Sequence, residues 1–219
     1  MDSSVNTDPI LAEETALIDS IVSGQSSKFE VLVGSYQQRI YATLFGILGN
    51  RQDAEDVTQE TFITAFRKLD QFEHRSSFYT WLHRIAFNAA IDLQRRKKRA
   101  KNQFIVRDSV EISEPADRQT ESPATIVMAK ETVAQVQLAL SRLDEERRNI
   151  IVLRDLQGID YAEIASMLDI PAGTVRSRLH RARIELREIM NAMGIGDSPL
   201  QQEQSVVKKQ MVAQGRNQE

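Results

Sequence analysis

The sequence predicts an all-α protein: two small helical domains joined by a flexible acidic linker, the second domain a helix-turn-helix. Three observations carry that expectation. Apolar residues recur at three- and four-residue spacing through most of the 219 positions, which gathers them on one face of a helix. The stretch Asp108 to Pro123, DSVEISEPADRQTESP, holds two prolines, many acids and almost no apolar side chains, so it cannot bury a core. Tyr161 to Met193 reads as a short helix, a tight turn at Ile170-Pro171 and a long second helix. The predicted limits are a disordered tail over 1–12, a first helical domain over 13–101, a linker over 102–124, the helix-turn-helix domain over 125–193 and a second disordered tail over 194–219.

Composition narrows the function classes. No apolar run approaches the length of a membrane span, and the N-terminus lacks the basic-then-apolar layout of a signal peptide. No membrane insertion is expected. Zero cysteines excludes disulfides and thiolate metal sites and is compatible with a cytoplasmic location. The net charge of −3 is unusual for a chain with basic clusters, because a self-sufficient DNA binder ordinarily carries a basic excess. The pattern fits a DNA reader whose free affinity is weak and whose hold on DNA a second protein completes.

In chain order, a short amphipathic helix is predicted from Glu13 to Val22, with a break at Gly24. Ser27 and Glu30 form a capping-box pair opening a helix with Phe29, Leu32, Tyr36, Ile40, Leu44 and Leu48 on its apolar side. Gly49 ends it, and Asn50 caps a helix from Arg51 to about Leu69. Asp53, Glu55 and Asp56 crowd the first turns of that helix. Complementing the helix dipole explains them, and an acidic, partly aromatic docking face explains them equally. Metal binding by Asp53, Asp56 and Glu60 would lack any nearby histidine.

Ser76 or Ser77 caps a helix from Phe78 to about Arg99, with Phe78, Trp81, Ile85, Ala89 and Leu93 as its expected buried stripe and His83 on its flank. Arg84, Asn88, Ile91, Arg95 and Lys98 run down another side. The run Arg95, Arg96, Lys97, Lys98, Arg99 and Lys101 exceeds what a helix C-terminus needs and favours phosphate contact.

In the C-terminal half, Val127 to Leu140 is amphipathic, and Asp144 caps a helix carrying Ile150, Ile151, Leu153 and Leu156 that Gly158 stops. Tyr161 to Leu168 is the positioning helix, and Pro171 opens the reading helix. On the latter, Val175, Leu179, Ala182, Leu186, Ile189 and Met193 step by four and three along one face. Arg176, Ser177, His180, Arg181 and Arg183 fall on the other side. That cationic face suits a DNA major groove while the stripe lies on a core.

Taken together, DAEDVTQETF, SSFYTWLHRIAFNAAID, the linker and DYAEIASMLDIPAGTVRSRLHRAR resemble a bacterial RNA polymerase sigma factor of the extracytoplasmic-function (group IV) type, over roughly Ser20 to Met193. Three motifs in order and at plausible spacing make the resemblance specific. It implies binding to core RNA polymerase (the β′ clamp helices and the β flap) and to promoter DNA, in a stress or envelope response. The first motif resembles the clamp-docking segment, with Asp53, Asp56, Gln59, Glu60 and Phe62 as candidates. The loop His74 to Ser77 and the following helix resemble the part that reads and opens the minus-ten element. There Arg75, Arg84, Asn88, Arg95, Arg96, Lys97 and Lys98 would touch DNA, Asn88 in a pocket for a flipped-out base. Thr174, Arg176, Ser177, His180 and Arg181 would read the minus-thirty-five element. A separate anti-sigma factor is a further expected partner; no cofactor, metal or catalytic residue is expected.

Two other classes compete. An ordinary helix-turn-helix regulator would bind its operator without polymerase. An enzyme would need more than the isolated His74, His83 and His180, which show neither metal-ligand spacing nor a nucleophile elbow.

Overall fold

The computed structural model describes residues 9–105 and 124–195, and among these the secondary structure is helical throughout. The first domain comprises α1 (Pro9–Val22), α2 (Phe29–Leu48), α3 (Arg51–Arg67) and α4 (Phe78–Ile105); the second comprises α5 (Ala124–Ser141), α6 (Glu145–Ile151), α7 (Tyr161–Leu168) and α8 (Ala172–Ala192). Of the tails predicted to be disordered, 1–8 and 196–219 lie outside the described residues, as does most of the linker, whereas 9–12 are helical in α1. Both ends of the first domain run past expectation: α1 starts at Pro9, and α4 continues to Ile105.

Helix ends follow local chemistry. Gly49 takes the left-handed conformation (φ 67°) that closes α2. The Asn50 side chain then accepts the Asp53 N–H at 2.9 Å, so one residue stops a helix and the next starts another. Ser77 Oγ accepts the Thr80 N–H at 3.2 Å at the head of α4. Asp144 and Asp160 cap α6 and α7, each accepting an N–H at 2.9 Å. The capping box read at Ser27 does not form. Ser26–Lys28 is a 3₁₀ turn and no side chain caps α2, so that entry is held by packing instead.

In the first domain Leu32, Ile40, Leu44 and Ile47 of α2 meet Ala54, Val57, Phe62 and Ala65 of α3 and Phe78, Leu82, Ala86, Phe87 and Ala90 of α4. α1 adds Ile18 and Ile21, and its Glu14 accepts a hydrogen bond from the half-buried Tyr36 hydroxyl, whose pKa burial raises. The α4 stripe therefore differs from the expected one. Its inner face is Phe78, Leu82, Ala86 and Ala90, while Trp81, Ile85, Ala89 and Leu93 are only partly buried. Trp81 packs at a tilt on a small aromatic cluster, 5.2 Å from Phe72 and 5.6 Å from Phe78 between ring centres.

The second domain buries Leu140, Leu143, Ile150, Ile151, Leu153, Ile159, Ile164, Val175, Leu179 and Ala182. After Ile151 the helix widens into a π segment, Val152–Leu156, in which the Gln157 N–H reaches back to the Val152 carbonyl at 3.1 Å. Asp169 at φ 53° turns the chain between α7 and α8, and Pro171 occupies the N-cap of α8. Arg148, half-buried and with its pKa lowered by desolvation, donates to the carbonyls of Leu140 (2.9 Å), Ser141 (3.1 Å) and Leu143 (2.9 Å). Leu140 and Ser141 stand in the last turn of α5 and Leu143 just beyond it, where carbonyls run short of backbone donors.

The two domains pack on each other through α2, α4, α6 and α7. A Cβ placed on Gly46, in the last turn of α2, would stand 3.0 Å from Val152 Cγ2. Glycine costs a helix interior about 1 kcal/mol relative to alanine, and here it admits a side chain of the other domain.

Candidate nucleic-acid interface

α8 is laid down by its apolar side. Val175, Leu179 and Ala182 are fully buried, and Leu186 and Ile189 pack at the edge of the core. With that face committed, Arg176, Ser177, His180 and Arg181 are left exposed on the outer surface, and Thr174 is half-buried beside them. The Arg176 guanidinium lies 5.5 Å from the centre of the Tyr161 ring, and Arg154 lies 4.6 Å from it. These cation–π contacts restrain the Arg176 side chain while the residue stays exposed. Ser177 Oγ donates to the Thr174 carbonyl at 3.0 Å, so its hydroxyl is partly spent within the helix. Arg183, grouped with the cationic face in the sequence, pairs with Asp155 at 2.9 Å. It holds α8 to the π segment. Arg178 reaches Glu146 at 2.8 Å, and Arg147 binds Glu185.

A second cationic surface lies along α4. Arg95, Arg96, Lys97, Lys98, Arg99 and Lys101 are exposed. Lys97 is drawn back to Asp53 of α3, and Lys98 binds Glu145 of α6 at 2.7 Å. Arg84 donates to Glu163 of α7 at 3.0 Å and to Ser166 at 3.4 Å. Arg75, on the loop before α4, is largely exposed and pairs with Glu73 at 2.7 Å. Asn88 is exposed on the wall of a cleft of about 570 Å³ between the domains. Across that cleft stand Asn149, Met167, Asp169 and Arg178. The Asn149 side chain is buried there, with no hydrogen-bond partner for its Oδ1.

α3 presents a third surface. Asp56, Gln59 and Glu60 are exposed together on its outer side. Phe62 does not join them: it is 7 % exposed and packs edge-on to Phe29 inside the domain. The aromatic that reaches the surface is Phe66, one turn further on, beside the exposed Ile63. Asp53 is mostly covered, its carboxylate engaged by Lys97, so it serves the α3–α4 junction and not the outer face.

His83, expected on a helix flank, is fully buried. Its Nδ1 lies 2.9 Å from the Tyr79 carbonyl, which can only accept, so the neutral ring carries its proton there. Nε2 lies 3.0 Å from the Thr43 hydroxyl, whose single proton can go to this nitrogen or to the Arg39 carbonyl at 2.8 Å. Desolvation pushes the ring's pKa down to about 4. The residues that sequence reasoning missed are those joining the domains: Gly46, Tyr79, Arg148, Gln157 and Glu163. A glycine inside an otherwise regular helix, one turn before the Gly49 that ends it, is the one signal among them that patterning could have raised.

Among the described residues no three acidic, histidine or cysteine side chains come together as a metal site, and no helix is long and apolar enough to cross a membrane. Residues 32–100 match the Sigma-70 region 2 family, and residues 134–186 match the Sigma-70, region 4 family. The chain is 36 % identical over 174 residues to the RNA polymerase sigma-H factor of Pseudomonas aeruginosa, 78 % of this chain and 90 % of that protein. To the ECF RNA polymerase sigma-E factor of Escherichia coli K12 it is 37 % identical over 174 residues, with the same shares of 78 % and 90 %. In fold it is similar to CnrH, solved in complex with the cytosolic domain of CnrY, with a TM-score of 0.57 and 29 % identity over 84 % of this chain and 97 % of that one. It is also similar to the sigma factor RpoE of Bartonella quintana, solved with the anti-sigma factor NepR. That match has a TM-score of 0.59 and 26 % identity over 74 % of this chain and 96 % of that one.

Proposed function

The chain belongs to the extracytoplasmic-function family of RNA polymerase sigma factors, and from that premise we propose how its surfaces divide the work of directing core polymerase to promoters. α3 docks on the polymerase through Asp56, Gln59 and Glu60, with Ile63 and Phe66 supplying the apolar contact first assigned to Phe62. The acids steer and orient the encounter, and the apolar pair supplies the desolvated centre.

The minus-ten unit spans 9–105, four residues longer at each end than the 13–101 read from sequence, and the minus-thirty-five unit spans 124–193. On the first, Arg75, Arg84 and Arg95 to Lys98 take backbone phosphate, and Asn88 receives a flipped-out base. Flipping costs a few kcal/mol, which polar capture flanked by cations offsets. On the second, Arg176 and Arg181 read base edges, the guanidinium fork matching guanine O6 and N7, while Thr174, Ser177 and His180 take phosphate or sugar. The reaction itself belongs to the polymerase, and this chain is an initiation factor and not an enzyme. We place it in the cytoplasm, in a stress or envelope response, with an anti-sigma protein as its regulator.

The observation that carries this reading is the pairing of two cationic helix faces, on α4 and α8, each opposite a buried apolar stripe and each carrying unpaired arginines (Arg96, Arg181) at the surface. Transcription in vitro with purified core polymerase and a promoter library tests it. Initiation at a shared pair of sequence elements is the expected result. Loss of α8 arginines and loss of Asn88 affecting the same element would contradict the division of labour.

A further inference from the structure

Arg176 and Arg181 both stand on the outer surface of α8, but their surroundings differ. The Arg176 guanidinium lies over the Tyr161 ring, 5.5 Å from its centre. Arg181 is exposed and has no ring or acid as a partner among the described residues. The buried stripe fixes how α8 is rolled, yet a long arginine side chain keeps its own rotational freedom beyond that. Resting on the base-reading assignment of Arg176, we propose that Tyr161 is a positioning residue for the minus-thirty-five element. Its ring holds the Arg176 fork toward one base pair, so discrimination at that base pair depends on a side chain that reads no base itself.

Tyr161 is itself held in place. It is the first residue of α7, directly after the Asp160 cap, and it packs at the edge of the core. Arg154 lies over the same ring at 4.6 Å, and its Nη1 donates to the Ile159 carbonyl at 2.9 Å. Ile159 is buried, and its N–H returns to the Leu153 carbonyl at 3.0 Å. The ring is thus set on the π segment by backbone and side chain together.

The next residue of that segment, Asp155, accepts from Arg183 Nε at 2.9 Å and from its Nη2 at 2.5 Å. Arg183 follows Arg176 by seven residues, which returns to the same side of a helix two turns along. Consecutive side chains of the π segment therefore serve two arginines on one side of α8. Asp155 fixes the far one directly, and Arg154 backs the ring that holds the near one. π segments recur at functional sites. An electron-rich ring face attracts a guanidinium modestly where water reaches it, and a fork arranged before contact loses less freedom on binding DNA.

The test changes the electrons of the ring while keeping its shape. Full-length chains carrying Tyr161→Phe, or phenylalanine with one, two or three ring fluorines at that position, are combined with core polymerase. Initiation is measured on promoters in which each base pair of the minus-thirty-five element is varied in turn. Arg176→Ala and Arg181→Ala identify the base pair that each arginine reads. The conservative Tyr161→Phe is expected to discriminate like the parent. Added fluorines are expected to lower discrimination stepwise, by roughly two- to fivefold in total, at the Arg176 base pair and not at the Arg181 one. In an Arg176→Ala chain the same fluorines are expected to change nothing.

Loss spread evenly over all base pairs, loss that persists in the Arg176→Ala chain, or discrimination indifferent to fluorination would overturn the proposal. If Arg176→Ala flattens no base pair, the base-reading assignment fails first, and this inference falls with it.

Discussion

His83 is fully buried, and its ionisation is tied to the fold. Sequence spacing places it beside the arginines of α4, and nothing in its neighbours announces burial. The fold encloses it because α2 crosses α4 there and supplies Thr43 as a hydrogen-bond partner. Its pKa falls from the ordinary 6.5 to about 4, chiefly through desolvation. Between those values the unfolded chain holds the extra proton, so stability is full above pH 6.5 and drops as the pH falls toward 4. The loss is on the order of 3 kcal/mol at its limit. Urea denaturation at pH 7 and pH 4.5 measures it, and His83→Gln should flatten this part of the slope. At the same scale, Phe62 and Phe66 trade roles: a family pattern marks an aromatic on α3, and both rings pack edge-on to Phe29, but Phe62 is buried and Phe66 reaches the surface. Charge reversal at Asp56 and Glu60 should weaken binding to core polymerase about tenfold or more, read by competition with an unmodified chain. Unchanged affinity would return those acids to dipole complementation alone.

At the scale of elements, α8 was legible and α4 was not fully so. The four-and-three stepping of Val175, Leu179 and Ala182 matches the buried face because α8 packs on one core and faces water elsewhere. α4 lies between α2, α3 and the second domain, so burial wraps around it, and small residues such as Ala86 and Ala90 are fully buried. Periodicity keyed to large apolar side chains therefore selects a neighbouring stripe. Caps were readable where one side chain meets one N–H, as at Asn50 and Asp144. The π segment was not, since a residue added to a helical turn leaves the local composition unchanged. Asn50→Ala should cost about 1 kcal/mol of stability, measured by chemical denaturation. Arg176→Ala with Arg181→Ala should lower initiation at promoters bearing a minus-thirty-five element while core binding stays intact. Asn88→Ala should slow strand opening, followed with a fluorescent base in the minus-ten element, more than it weakens the closed complex.

For the whole molecule, sequence reasoning read two helical domains and treated them as independent. Their packing depends on Gly46, Gln157 and Glu163, residues distant in sequence whose pairing no local pattern encodes. The charge balance was the readable trace of it: a chain with two basic faces and a net charge of −3 keeps acids close to its bases. The central claim is that promoter recognition belongs to the complex with core polymerase and not to this chain alone. Binding of the purified chain to a cognate promoter duplex, measured at physiological salt with and without core enzyme, tests it most directly. The account predicts no specific complex from the chain alone and a promoter-specific, salt-sensitive complex once core polymerase is added. Tight, specific binding by the free chain, unchanged by polymerase, would contradict it.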